Sequence, residues 1–139
     1  RNFKKISFID ANKNLDNITE LNLKNCLTIN INSFNEMSDN AFSIYIELIN
    51  EIGGFFYTKN PVAKFNDPEI TTNIKRKRIA LNTGQIKKII NIFNEKELNK
   101  AKRNYVQTYL PSTKWKIIST KFSRPLIYYL QTLYEKKNN

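Results

Sequence analysis

Two kinds of hydrophobic spacing alternate along this chain. Over residues 27–34, LTININSF, apolar Leu27, Ile29 and Ile31 alternate with Thr28, Asn30 and Asn32. A period of two puts the apolar side chains on one face of a strand and the polar ones on the other. Over residues 37–52 the spacing changes. Met37, Ala41, Ile44, Tyr45, Leu48, Ile49 and Ile52 make one helical stripe. Ser38 or Asn35 can cap its start, and Gly53-Gly54 supplies a left-handed residue to end it. Phe55-Phe56-Tyr57 is a short β-prone run. Residues 59–68, with two prolines and several Asn/Asp, read as a loop with extended arms.

Residues 71–94, TTNIKRKRIALNTGQIKKIINIFN, interleave isoleucine with cations. Their β-branched density predicts one long strand, bulged or bent at Gly84. A strand to Leu81 followed by a helix from Gln85 is the alternative. Asn94 and Glu97 form a capping box for a helix over 94–110. Leu98, Ala101, Tyr105, Val106 and Tyr109 line one side, Lys96, Lys100, Lys102 and Arg103 the other, and Pro111 stops it. Residues 114–120 read as a final strand, with Lys114 and Lys116 flanking Trp115. Ser123-Arg124-Pro125 then opens a last amphipathic helix striped by Leu126, Tyr129, Leu130 and Leu133. Residues 1–25 are polar and weakly patterned, although Phe3, Ile6 and Phe8-Ile9 could dock on a neighbour.

The order strand, helix, strand, strand, helix, strand predicts an α+β protein. The expected arrangement is a ferredoxin-like βαββαβ two-layer sandwich, with two helices on one face of a sheet and the other face open. The organisation expected is an N-terminal extension over 1–25, the ferredoxin-like domain over 26–120, and an added C-terminal helix within 121–139.

Charge sharpens this picture. The 139 residues carry a net charge of +11. Residues 1–69 hold seven Lys/Arg and nine Asp/Glu, whereas residues 70–124 hold fourteen Lys/Arg and two Glu. So lopsided a field opposes compaction and reads as a face for a polyanion; an ordinary solvated basic surface is the plainer reading. Lys75-Arg76-Lys77-Arg78 is its densest run. An RNA-recognition motif stacks bases on aromatic residues of its central strands. Residues 74–81 have no aromatic residue, so phosphate contact is expected rather than base stacking.

Catalysis finds little purchase. With no histidine there is no Ser-His or Cys-His pair. Cys26 is the sole cysteine and reads as a small half-buried residue at a strand start. Glu47 and Glu51, one turn apart, are a solvated face. No glycine-rich phosphate loop is present, so neither an enzyme, a cofactor, a metal nor a small-molecule substrate is expected. The apolar runs are too short to span a membrane. The abundance of Asn, Ile and Lys reflects A/T-rich coding.

Several stretches together resemble the ribosomal small-subunit protein S-ten family. Residues 27–54 are similar to its first strand and helix, with Phe34-Asn35 and Gly53-Gly54 at matching spacing. Asp67-Pro68-Glu69-Ile70 looks like the family's Ser-Pro-His-Val stretch. Ile79-Ala80-Leu81-Asn82-Thr83 with Ile86-Lys87-Lys88-Ile89-Ile90 looks like its long strand. Tyr109-Leu110-Pro111 resembles its Leu-Pro stop. The family His is replaced, and the hairpin between Pro61 and Pro68 is short. With the two extensions, these departures look like a mitochondrial member.

The resemblance implies a structural constituent of the small ribosomal subunit head in the mitochondrial matrix, bound to ribosomal RNA and neighbouring ribosomal proteins. It also implies that Lys59, Lys64, Lys75, Arg76, Lys77 and Arg78 are hairpin contacts, with Lys87 and Lys88 on the long strand. Lys114 and Lys116 complete the candidate RNA-binding set. Two other readings stay in play. One is the large-subunit mitochondrial paralogue with the same fold. The other is a free-standing replication-type winged-helix protein, although the helix over 94–110 opens on Glu95 and Glu97, which ill suits a major groove.

Overall fold

The computed structural model describes residues 26–65, 72–124 and 128–137. Its first unit is β1 (Leu27–Ile31), α1 (Asp39–Ile52) and β2 (Phe55–Pro61). Ser38 caps α1 by accepting from the Ala41 N–H, and Gly53 ends it at φ 76°. Gly54 follows at φ 75° against β1, where a Cβ would lie 2.4 Å from the Cys26 carbonyl oxygen. The chain can therefore turn back beside its own start, and β2 runs parallel to β1 from Leu27↔Phe55 to Ile31↔Lys59. The half-buried Cys26 thiol donates to the Gly53 carbonyl at 3.4 Å.

After β3 (Lys64–Phe65) come α2 (Ile74–Asn82) and β4 (Ile89–Ile90), then α3 (Glu95–Thr108), β5 (Trp115–Phe122) and β6 (Tyr129–Lys136). The main sheet has the order β1-β2-β6-β5, with β6 antiparallel to both neighbours; β3 and β4 form a small parallel pair. The molecule is thus α+β, with a four-stranded mixed sheet and three helices among the described residues.

One face of the sheet carries the core. Phe56, Thr58 and Asn60 of β2 and Leu130, Thr132 and Tyr134 of β6 alternate into it. α1 contributes Phe42 and Ile49; α3 contributes Ala101, Tyr105 and Val106. Aromatic rings dominate: Phe34 meets Phe42 edge-on at 5.2 Å, and Phe56 stacks on Tyr134 at 5.7 Å. Such pairs add directional attraction to the area they bury. The Tyr134 hydroxyl donates to the Val106 carbonyl at 3.1 Å, and the Trp115 indole N–H donates to Asn50 of α1 at 3.0 Å, so both helices are tied to this one face.

The elements at 27–31, 39–52, 95–108 and 115–122 lie where the sequence predicts them, and 55–57 is the start of a longer strand. Two do not. The long strand expected over 71–94 is instead the helix α2, a break at Gly84 and the two-residue β4. Residues 75–78 and 80–81 are Lys, Arg, Ala and Leu, all good helix formers, and Asn73 caps them by accepting from the Arg76 N–H. The isoleucines that suggested a strand lie mostly beyond Gly84.

The second correction concerns the added C-terminal helix. Residues 129–136 are β6, an inner strand of the sheet. The same apolar residues admit a period of two: Leu130 and Tyr134 point inward while Leu133 points out. Hydrogen-bonding neighbours on both sides settle the choice. The split βαβ arrangement also keeps the strands flanking its first helix apart, whereas β1 and β2 pair directly. The expected extension over 1–25, and the resemblance carried by 67–70, lie outside the described residues.

Candidate nucleic-acid interface

Helix α2 is the site's centre. Lys75, Arg76, Lys77 and Arg78 fill its first turn and a half, with no acidic residue in that turn. Every residue from 72 to 79 is exposed, Ile74 at 83% and Ile79 at 56%. This is an expensive way to make a helix. Its N-terminus already carries partial positive charge, which cations oppose, and little apolar burial offsets that. Lys75, Lys77 and Arg78 have no carboxylate partner among the described residues.

Thr83 closes the helix, its N–H and hydroxyl both donating to the Ile79 carbonyl. Gly84 then crosses the loop before α1 at φ 69°. A Cβ there would lie 2.1 Å from the Asn35 carbonyl oxygen, so no other residue fits without a backbone shift. This crossing brings residues 85–90 back beside α2. The groove between them, about 590 Å³, is lined by Lys77, Leu81, Lys87, Lys88, Ile89, Ile90, Asn91 and Glu97. Three cations therefore share one concavity with an apolar floor.

The other predicted positions differ in what holds them. Lys87 lies 2.8 Å from Asp39 at the start of α1. Its hydrogen bond holds the Asp39 carboxyl below the usual range, with Gln85 assisting. Lys87 thus anchors the loop, and part of its charge is offset. Lys64 is half-buried on β3; its ammonium donates to Asn35 at 3.2 Å, and burial lowers its pKa, partly offset by Glu36. Its N–H donates to the Lys88 carbonyl, so the two lysines are neighbours across β3 and β4.

Lys59 and Lys116 sit elsewhere, on the face of the sheet away from the helices, where Lys116 pairs with Glu135 at 2.7 Å. Lys114 is exposed at the turn into β5. The structure thus gathers Lys64, Lys75, Arg76, Lys77, Arg78, Lys87 and Lys88 around α2 and β4, and separates Lys59, Lys114 and Lys116 from them.

Two groups escaped the sequence reading. Phe55, Tyr57 and Tyr129 share the open sheet face with Lys59, and Lys121 stands opposite Gln131 on the same side. The expectation that the sheet has no aromatic face rested on residues 74–81 being its central strand. The inner strands are β2 and β6. The alternation in FFYTKN and YLQTLYEK was the available signal. The chain matches no family model, no curated protein and no solved structure.

Proposed function

We propose that this chain is a non-enzymatic RNA-binding component of a ribonucleoprotein, gripping phosphates with α2 and the groove beside it. The observation that carries the reading is a helix with four consecutive cations, Lys75 to Arg78, in an opening stretch that is exposed throughout. A polyanion supplies countercharge to this exposed run of cations. Lys77, Lys87 and Lys88 extend the contact into the groove. Because these side chains reach phosphates rather than base edges, the contact positions the RNA without reading its sequence.

Within that class we propose a structural constituent of a mitochondrial small ribosomal subunit, in its head, beside ribosomal RNA and neighbouring ribosomal proteins. A ferredoxin-like ancestry is part of the same proposal. Support comes from the strand–helix–Gly-Gly unit over 27–54, the Leu110-Pro111 stop before β5, and the packing of α1 and α3 on one face of the sheet. Direct β1–β2 pairing and the helical 74–82 segment are the features in which this chain departs from that pattern. A second reading, a free-standing nucleic-acid-binding protein, is favoured by α2 being an exposed basic helix rather than a strand.

Sedimentation of the tagged protein from its native cell separates these readings. Co-migration with the small subunit supports the first, with the large subunit its paralogue, and with neither the free-standing protein. Replacing Lys75, Arg76, Lys77 and Arg78 with Glu is expected to abolish co-migration while the purified variant keeps its circular dichroism spectrum. Undiminished co-migration would sink the role given to α2.

A further inference from the structure

The face of the main sheet opposite the helices has no cover among the described residues. β1 presents Leu27, Ile29 and Ile31 there, exposed by 54%, 59% and 58%. Their register partners on β2 are Phe55, Tyr57 and Lys59. Those in turn oppose Glu135, Leu133 and Gln131 on β6, and Lys116, Ser119 and Lys121 follow on β5. The strip therefore runs from aliphatic at the β1 edge, through aromatic in the middle, to cationic at β5. Two tyrosine tips are fixed. The Tyr57 hydroxyl donates to Gln131 at 3.2 Å, and the Tyr129 hydroxyl donates to the Asn32 side-chain oxygen at 3.1 Å.

We propose that this face is a platform for a short single-stranded RNA segment, with bases stacked on Phe55, Tyr57 and Tyr129 and phosphates held by Lys59 and Lys121. The proposal rests on the RNA-binding reading and adds a second contact of a different kind. Aromatic rings accept any base through its π-face, while lysines beside them track the backbone. Gln131 and Asn32 add hydrogen-bonding groups at the ring edges. Leu27 and Ile29 extend the apolar floor. Charge decides against a second copy of this chain. An isologous pair would lay the same patch on itself and cover Lys59 and Lys121 with a face that offers no free carboxylate. Glu135, the acidic residue on these four strands, is already paired with Lys116.

The test uses the full chain and a fluorescent twelve-nucleotide oligouridine carrying 4-thiouridine, with binding read by anisotropy and contacts by photo-crosslinking. Phe55→Leu with Tyr57→Leu keeps apolar bulk, so the fold survives, but removes two π-faces. The expected result is a loss of affinity of at least tenfold, with wild-type crosslinks at Phe55, Tyr57 or Tyr129. Lys59→Gln with Lys121→Gln should weaken binding and flatten its salt dependence. Wild-type affinity in the Leu variant, with crosslinks confined to α2, overturns the platform and leaves the RNA-binding reading standing. No binding by the wild-type chain overturns both. A dimer in equilibrium sedimentation that Ile29→Lys dissociates would assign the face to a second copy instead.

Discussion

Tyr105 shows what one hydroxyl does in this core. It stands 3.2 Å from the Thr58 hydroxyl and accepts from the Asn60 N–H at 3.0 Å, joining α3 to β2. The Asn60 side-chain amide donates onward to Asn30 at 2.9 Å and to Thr58 at 2.7 Å. Tyr109, one helical turn on, is equally buried, yet its hydroxyl has no partner among the described residues. The two therefore respond oppositely to the same change. Tyr105→Phe strands a buried N–H and should cost about 1–3 kcal/mol in urea unfolding. Tyr109→Phe removes an unsatisfied group and should be neutral or stabilising. Gly84→Ala, forced into a left-handed backbone against the Asn35 carbonyl, should cost about 1 kcal/mol or more.

The tyrosines also set an alkaline limit. Burial pushes the Tyr105 hydroxyl up to about 12, and burial likewise raises Tyr109 and Tyr134. Unfolded tyrosines lose their protons near pH 10 while the folded ones keep them. The native state then binds more protons, and stability falls as pH rises. It is intact below pH 10 and declines from there through pH 12. Tyrosinate absorbance from these residues should appear together with loss of ellipticity, rather than as a smooth titration at pH 10.

At the scale of elements, α2 and β6 make opposite predictions. α2 contributes little burial and carries cations at the wrong end for its dipole. Replacing Lys75, Arg76, Lys77 and Arg78 with Ala should leave the melting temperature unchanged or slightly higher, because each cation near the N-terminus costs roughly 0.3–1 kcal/mol. RNA affinity should collapse in the same protein. β6 pairs with β2 and β5 along its whole length. Deleting residues 129–139 should abolish cooperative unfolding, whereas loss of a peripheral helix would be tolerated.

For the whole molecule, the division of charge predicts how binding responds to salt. If α2 and Lys88 engage about five phosphates, affinity for single-stranded RNA should fall with a log–log slope of roughly −3 to −4. Asp39–Lys87 adds a weaker acid response. The lowered Asp39 pKa means this tether is fully present above the ordinary value of 3.8 and is lost as pH drops through the folded value. Backbone amide shifts of residues 85–88 on acidification would report it.

Local patterns alone identified much of this protein. The alternation at Leu27–Ile31, the stripe and glycine stop of Asp39–Ile52, and the Asn94–Glu97 cap each rest on interactions within a few residues. The cationic run, the most conspicuous candidate for function, needed only counting. Its conformation was harder, since isoleucine-rich sequence admits strand and helix alike until packing chooses. Residues 129–136 were ambiguous for the same reason, their stripe fitting both periods. Tertiary structure decided both. Pairing between β2 and β5 made Tyr129–Lys136 a strand, and the Gly84 crossing folded residues 85–90 back against α2. Because β2 and β6 became the inner strands, aromatic residues far apart in sequence came to share one open face. That juxtaposition depends on partners some seventy residues away, and no local spacing encodes it.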